Sequence, residues 1–330
     1  MRAEHQNHRG AWIAGAATLA ILLAAPLPAQ SHVSLAFRDS LPTWLASAHV
    51  PGIVVAVIEN GKVATTITRG ELRTGIPIST RALFNVASLT KPVFAVTTLR
   101  LADAGRLSLD APLDPDWIDP DIRDDPRHSK LTARLVLSHQ TGFPNWRRMM
   151  PRHKLGFLFD PGTRLGYSGE GYEYLRNAIA HKFGKSIQQL SDSILFAPTG
   201  MTETTYGWNP KQDTLRFAIG HDTSGAPIDD AMRPTSRPSA ADWLVTTIGD
   251  YAAFGAYVLK GAGLSSAAYA DMTKPLAPFD GKPNEAMGLG WEIMDGPPDD
   301  PTILMHTGSD NGIKTMIILL PASQRGLVIF

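Results

Sequence analysis

The chain contains no cysteine among its 330 residues, which excludes disulfides, thiolate nucleophiles and cysteine metal sites together. It has no net charge either, because 31 Lys and Arg balance 31 Asp and Glu. Without a basic excess there is no electrostatic footprint for nucleic acid or an anionic membrane surface. The sequence holds no G-x-x-x-x-G-K phosphate loop, no G-x-G-x-x-G and no H-E-x-x-H, so the common nucleotide and zinc-protease signatures are missing. His128, His139 and His153 lack metal-ligand spacing, and neither metal nor cofactor is expected.

What is present describes an ordinary globular protein: 43% hydrophobic and 19% charged residues in a chain long enough for a large core. An apolar run from Ala11 to Ala25 follows Arg2 and Arg9 and ends at Pro26-Leu27-Pro28-Ala29-Gln30. The run is shorter than the roughly 20 residues of a spanning helix, and prolines close it. It reads as a secretory signal peptide over 1–29, cleaved after Ala29, and hence as an exported protein, periplasmic or extracellular. No stable membrane span is expected after cleavage. A retained anchor is the alternative.

The rest falls into three blocks. His32 to Ala48 suits a helix, and Ile53 to Glu59 and Val63 to Arg69 suit strands joined by Asn60-Gly61, a strong hairpin signal. Helical spacing runs from Pro92 to Gly105. From about Leu107 to Thr273 the pattern is helices and loops, with helices expected over Leu131 to His139, Glu173 to Phe183, Ile187 to Leu195 and Trp243 to Leu259. Short apolar strands return at Gly290 to Met294, Thr302 to His306, Lys314 to Leu320 and Gly326 to Phe330. Strands at both ends around a helical insert imply one sheet built from both termini. The expected class is therefore α/β (α+β), an antiparallel sheet flanked by helices. The sheet domain takes residues 30–106 and 280–330, and a mainly helical domain takes 107–279.

Chemistry is carried by three segments. In Ser88-Leu89-Thr90-Lys91 the hydroxyl and amine stand three residues apart, neighbours on a helix face. A serine becomes a nucleophile when an adjacent group takes its proton, and lysine can do so. With 20 serines and 11 lysines, roughly 0.7 such spacings arise by chance, so an N-capping serine beside a solvated lysine also fits. Pro92 favours a helix-start position for this turn. The second segment is Pro161 to Gly169, where Tyr167 sits on a turn-rich stretch before a helix and, near a cation such as Lys91, could act as a base. A buried aromatic with a satisfied hydroxyl is the alternative. The third is His306-Thr307-Gly308-Ser309 at a strand end, able to offer backbone N–H groups to an oxyanion, or an ordinary turn. Gly166-Tyr167-Ser168-Gly169-Glu170 misses the G-x-S-x-G elbow at its last position, and Ser168 is a poor nucleophile candidate.

Together these segments resemble the serine β-lactamase-like family of class C β-lactamases, DD-peptidases and family VIII-type esterases. Further stretches fit in order: Leu137-Ser138-His139-Gln140-Thr141-Gly142-Phe143-Pro144, Pro198-Thr199-Gly200-Met201 with Thr205, Thr246 to Asp250, and Gly288-Leu289-Gly290-Trp291. The resemblance spans about 35 to 330 and implies a β-lactamase/transpeptidase-like fold. It implies Ser88 as acylated nucleophile, Lys91 and Tyr167 as proton-transfer partners, and the backbone N–H groups of Ser88 and Ser309 as the oxyanion hole. It also places His306, Thr307, Gly308 and Gly169 at the substrate.

Three departures from the family pattern matter, the first two for substrate. The family's Tyr-x-Asn is Tyr167-Ser168-Gly169 here, which removes an amide contact, and Glu170 is the neighbour that could replace it. His306 stands where a lysine is common, so its charge is expected to follow pH. The chain stops inside an apparent strand at Leu327-Val328-Ile329-Phe330, read as truncation before a closing helix. The expected activity is a serine hydrolase on an ester, then a D-amino-acid peptide, then a β-lactam. Its partner is thus a small-molecule or peptide substrate. A non-catalytic sensor on the same fold is the rival, although it has no need of Ser88, Lys91 and Tyr167 together.

Overall fold

The computed structural model describes residues 35–228 and 237–330. The leader expected over 1–29 lies outside them. Helix α1 (Leu35–Ser47) precedes strands β1 (Gly52–Glu59), β2 (Lys62–Arg73) and β3 (Ile76–Pro77). The β1–β2 hairpin turns where expected: Glu59 pairs with Lys62, and Asn60 and Gly61 both take positive φ, 52° and 64°. Two left-handed residues make the tight loop whose twist matches its strands, and Asn and Gly tolerate that conformation best. Alternation along β1 divides its side chains between two layers. Val55, with Ile53 and Val57, packs toward Leu41 and Phe37 of α1, whereas Val54, Ala56 and Ile58 enter the main core.

Strand β4 (Phe84–Asn85) leads through a short 3-10 turn, Ala87–Leu89, into α2 (Thr90–Asp103). Residues Thr90 to Leu99 are all buried, so α2 runs through the middle of the protein rather than over its surface. Helices α3 (Ala133–Leu137), α4 (Gly169–Phe183), α5 (Ile187–Ser191) and α6 (Ala197–Thr199) follow. α4 starts four residues before the expected Glu173, because Ser168 caps it by accepting from Gly171 N–H at 3.0 Å. The expected Ile187–Leu195 helix closes after Ser191 and continues as a π-turn, Asp192–Phe196.

Strands β5 (Thr205–Tyr206) and β6 (Leu244–Thr246) join β4 in a three-stranded sheet, β4-β6-β5. The helix expected from Trp243 therefore begins only at α7 (Ile248–Leu259). Leu244-Val245-Thr246 is wholly buried and rich in β-branched residues, which suits a strand, and the Thr247 hydroxyl caps α7 by accepting from Asp250 N–H at 3.2 Å. α7 lies on β1, and Gly255 lets it come close: a Cβ there would stand 2.9 Å from Ile58 Cδ1 and 3.2 Å from Ile317 Cδ1.

After α8 (Ser266–Met272) the chain forms β7 (Ala277–Phe279), β8 (Lys282–Met287), β9 (Glu292–Asp295), β10 (Thr302–Asp310), β11 (Ile313–Leu320) and β12 (Arg325–Ile329). They complete a nine-stranded antiparallel sheet ordered β3-β2-β1-β12-β11-β10-β9-β8-β7. The last strand of the chain thus sits between β1 and β11, and first and last segments share one sheet. β7 and β8 were not expected from the sequence. Their residues, Ala277-Pro278-Phe279 and Lys282-Pro283-Asn284-Glu285-Ala286-Met287, carry prolines and charges suited to the sheet's edge.

Candidate active site

Ser88 is the only residue between Ala82 and Leu99 that is not buried. Its presentation begins with Ala87, held at φ 48°, a left-handed conformation costly for a residue with a Cβ. The turn is over-determined by its surroundings. Asn85 Oδ1 accepts from Ala87 N–H at 3.0 Å, Ala87 O accepts from the Thr90 hydroxyl at 2.6 Å, and Val86 N–H donates to Leu244 O at 3.0 Å. Ser88 thus stands in the 3-10 turn that opens α2, where free N–H groups and the helix dipole favour negative charge.

Lys91 lies one turn on, 0% exposed. Its Nζ donates to Ser88 Oγ at 2.9 Å and to Ala241 O at 2.7 Å. No carboxylate pairs with it among the described residues. Aromatic faces take that place: Nζ is 4.9 Å from the Tyr167 ring centre and 5.6 Å from that of Tyr172. Tyr167 is half-buried, on the loop that enters α4.

β10 brings the third segment to the same place. His306 and Gly308 are buried on the inner face of the strand, and Thr307 and Ser309 are exposed on the other. Gly308 lies against the Ser88 turn: a Cβ there would run into Val86 O and stand 3.3 Å from Ala87 Cβ. The Thr315 hydroxyl on β11 donates to Val86 O at 2.9 Å, and Asn85 Nδ2 donates to Asp310 Oδ2 at 3.2 Å, tying strand and turn together. Among the described residues β9 pairs with β10 only as far as Met305, so one edge of β10 beyond it has no strand partner. At the exposed end Lys314 Nζ donates to Ser309 Oγ at 2.5 Å.

A family model described as Beta-lactamase matches residues 35–330. The chain belongs to the Beta-lactamase family. The D-alanyl-D-alanine-carboxypeptidase/endopeptidase AmpH of Escherichia coli (strain K12) is 24% identical over 308 residues, covering 83% of this chain and 77% of that protein. Among solved structures, D-amino acid amidase from Ochrobactrum anthropi SV3 superposes with a TM-score of 0.74 at 24% identity, covering 88% of this chain and 90% of that one. D-alanine carboxypeptidase AmpC from Burkholderia cenocepacia gives 0.73 at 20% identity, covering 88% and 91%. These similarities establish the sheet-and-helix fold and membership of a family of serine hydrolases.

Within that family, three readings of this chain's departures are corrected by the structure. His306 does not titrate in the working range. Burial, and after it the Lys91 charge, push its imidazole down to about 3. Its Nδ1–H donates to Thr307 O at 2.8 Å, which leaves Nε2 as a buried, unprotonated acceptor, so the ring offers no charge to a substrate. Gly169 does not reach the cleft: it is buried, its N–H donates to Asn145 Oδ1 at 2.9 Å, and the Trp146 indole covers it. Glu170 is no substitute amide. Its carboxylate accepts from Arg147 N–H and Nε, both at 2.9 Å, and Arg147 also reaches Asp119 at 2.8 Å. Ser168, whose hydroxyl donates to Pro144 O at 2.8 Å besides capping α4, is committed to structure.

Several residues at the site carried no sequence signal. Ala241 contributes a carbonyl, which any residue type has. Asp242 follows it and is held up at about 7 by burial and by Asp310, against the pull of Lys91 and Arg148. Asn85 did have one recoverable signal, a polar residue in a buried apolar run. No group of three or more His, Cys, Asp or Glu suited to a metal occurs among the described residues.

Proposed function

We propose that the chain is an exported serine hydrolase working through an acyl-enzyme on Ser88. One observation carries the reading: the lone accessible residue of a buried run is a serine whose Oγ lies 2.9 Å from a buried lysine nitrogen. Ser88 Oγ bonds to the substrate carbonyl carbon while its proton passes to Lys91 or Tyr167. The carbonyl oxygen takes up negative charge, and the N–H groups of Ser88 and Ser309 are the donors assigned to it. The carbon–oxygen or carbon–nitrogen bond to the leaving group then breaks, and the leaving group takes the proton. Water repeats the sequence on the acyl-enzyme, releasing the acid and restoring Ser88. The unpaired edge of β10 beside Gly308 suits an extended substrate backbone.

Esters and D-amino-acid amides or peptides are the favoured substrates, ahead of β-lactams. The indole of Trp146 fills the space that a side chain on Gly169 would enter, and the position of the usual lysine holds a neutral ring. AmpH and the D-amino acid amidase carry names consistent with that choice. Export rests on the leader at 1–29, and no helix among the described residues is long and apolar enough to cross a membrane.

The test is intact mass after incubation with a fluorophosphonate and, separately, a penicillin, for wild type, Ser88→Ala and Lys91→Met. One adduct on wild type, none on Ser88→Ala and a rate at least ~10²-fold lower on Lys91→Met are expected. Wild type that takes up no adduct leaves the sensor reading in possession of the fold. A panel of short-chain esters, D-amino-acid amides, D-Ala-D-Ala peptides and a chromogenic cephalosporin then ranks the substrates.

A further inference from the structure

Among the described residues no hydrogen bond joins His139 to Ser88 or Lys91, yet it grips Tyr167 from three sides. Its main-chain oxygen accepts from Gly166 N–H at 2.8 Å, and its Nδ1 accepts from Ser168 N–H at 3.0 Å. Gly166 and Ser168 are the two neighbours of Tyr167 in the chain. Between them, the His139 imidazole stacks on the Tyr167 ring, with centres 4.2 Å apart and planes 30° apart. Its ring also meets Tyr172, 5.1 Å away at 36°, and the Tyr172 hydroxyl donates to Leu137 O at 3.2 Å. The clamp is therefore backed by the core.

The clamp is built at a cost. His139 has φ 56°, a left-handed conformation, and is 1% exposed. Because Nδ1 accepts, the ring proton is on Nε2, which is buried without a partner. Protonating Nδ1 would set two donors against each other at Ser168. Burial, then Lys91, then His306 also hold the ring well below the ordinary histidine range. A ring held in one tautomer by Ser168 N–H, with its other nitrogen buried and unpartnered, is placed to hold Tyr167 and not to pass a proton to Ser88. Strain and an unsatisfied donor persist where the surroundings over-determine a functional geometry.

We infer that His139 is the positioning residue for Tyr167, fixing both its backbone and its ring plane beside the Lys91 amine. The inference rests on the acyl-enzyme reading of Ser88. A displacement of about 1 Å at a catalytic group can cost ~10²-fold in rate. His139→Asn is the informative variant: asparagine tolerates left-handed φ and its Oδ1 can accept from Ser168 N–H, but it has no ring to stack.

The experiment measures fluorophosphonate acylation rate against concentration, with thermal melting, for wild type, His139→Asn, His139→Ala, Tyr167→Phe and the His139→Asn/Tyr167→Phe pair. The expected result is a loss of about tenfold or more in the maximal rate for His139→Asn, with the half-saturating concentration unchanged. The Tyr167→Phe background should absorb that loss, because both changes disable one group. If His139→Ala fails to fold, His139→Asn still decides. Wild-type rates in His139→Asn overturn the inference, as does a full His139→Asn loss on top of Tyr167→Phe. A wild type that never labels refutes the Ser88 reading instead, and is distinguishable from both.

Discussion

Gly169→Ala tests why the family's asparagine is missing. Gly169 is the first residue of α4, and the advantage of alanine over glycine, about 0.5–1 kcal/mol inside a helix, is at most that large there. Here the added Cβ would stand 2.8, 2.9 and 3.0 Å from Trp146 Cη2, Cζ2 and Cζ3. Ordinary carbon contacts begin near 3.5 Å, so the indole must retreat by roughly 0.5–0.7 Å. Overpacking of this kind costs about 1–3 kcal/mol, and it outweighs the helix gain. Gly169→Ala should therefore destabilise by about 0.5–2 kcal/mol, lowering the melting temperature by a few degrees. In a Trp146→Ala background the clash is gone and the same substitution should turn neutral or stabilising. The assay is thermal or urea unfolding of the four proteins in the cycle. Stabilisation by Gly169→Ala in the wild-type background, or an equal effect in both, would refute the claim that Trp146 fills the missing side chain's space.

Two further expectations concern charge. Asp242 binds a proton more tightly folded than unfolded, so between about pH 4 and its native value near 7 the folded state holds the extra proton, and stability falls as pH rises through that window. Asp242→Asn should flatten this part of the profile, read as the difference in melting temperature between pH 5 and 8; an unchanged slope counts against it. Glu170→Gln should lower stability by about 1–3 kcal/mol, because it removes one carboxylate of a largely buried cluster around Arg147, while acylation of Ser88 survives. Loss of acylation in a folded Glu170→Gln protein would return Glu170 to the cleft.

Much of the architecture could be read from the chain because local signals agreed with global packing. Asn60-Gly61 specified its hairpin, and apolar strands at both ends specified a shared sheet. Trp243 to Thr246 was misjudged because a short apolar run has no period of its own, and only pairing with β4 and β5 makes it a strand. The candidate nucleophile, lysine and tyrosine were legible as spacings, whereas their supports were not. The clamp of His139 on Tyr167 joins residues 28 apart through a backbone N–H, a carbonyl and a ring face. The charge of His306 was misjudged for the same reason. A histidine's state depends on burial and on Lys91, which lies 215 positions away in the chain.

Peptide mapping of the fluorophosphonate adduct on wild-type protein bears most directly on Ser88. The expected result is a single modification per chain, on the peptide carrying Ser88-Leu89-Thr90-Lys91, and none on Ser88→Ala. An adduct on any other residue, or its persistence in Ser88→Ala, would contradict the assignment of the nucleophile.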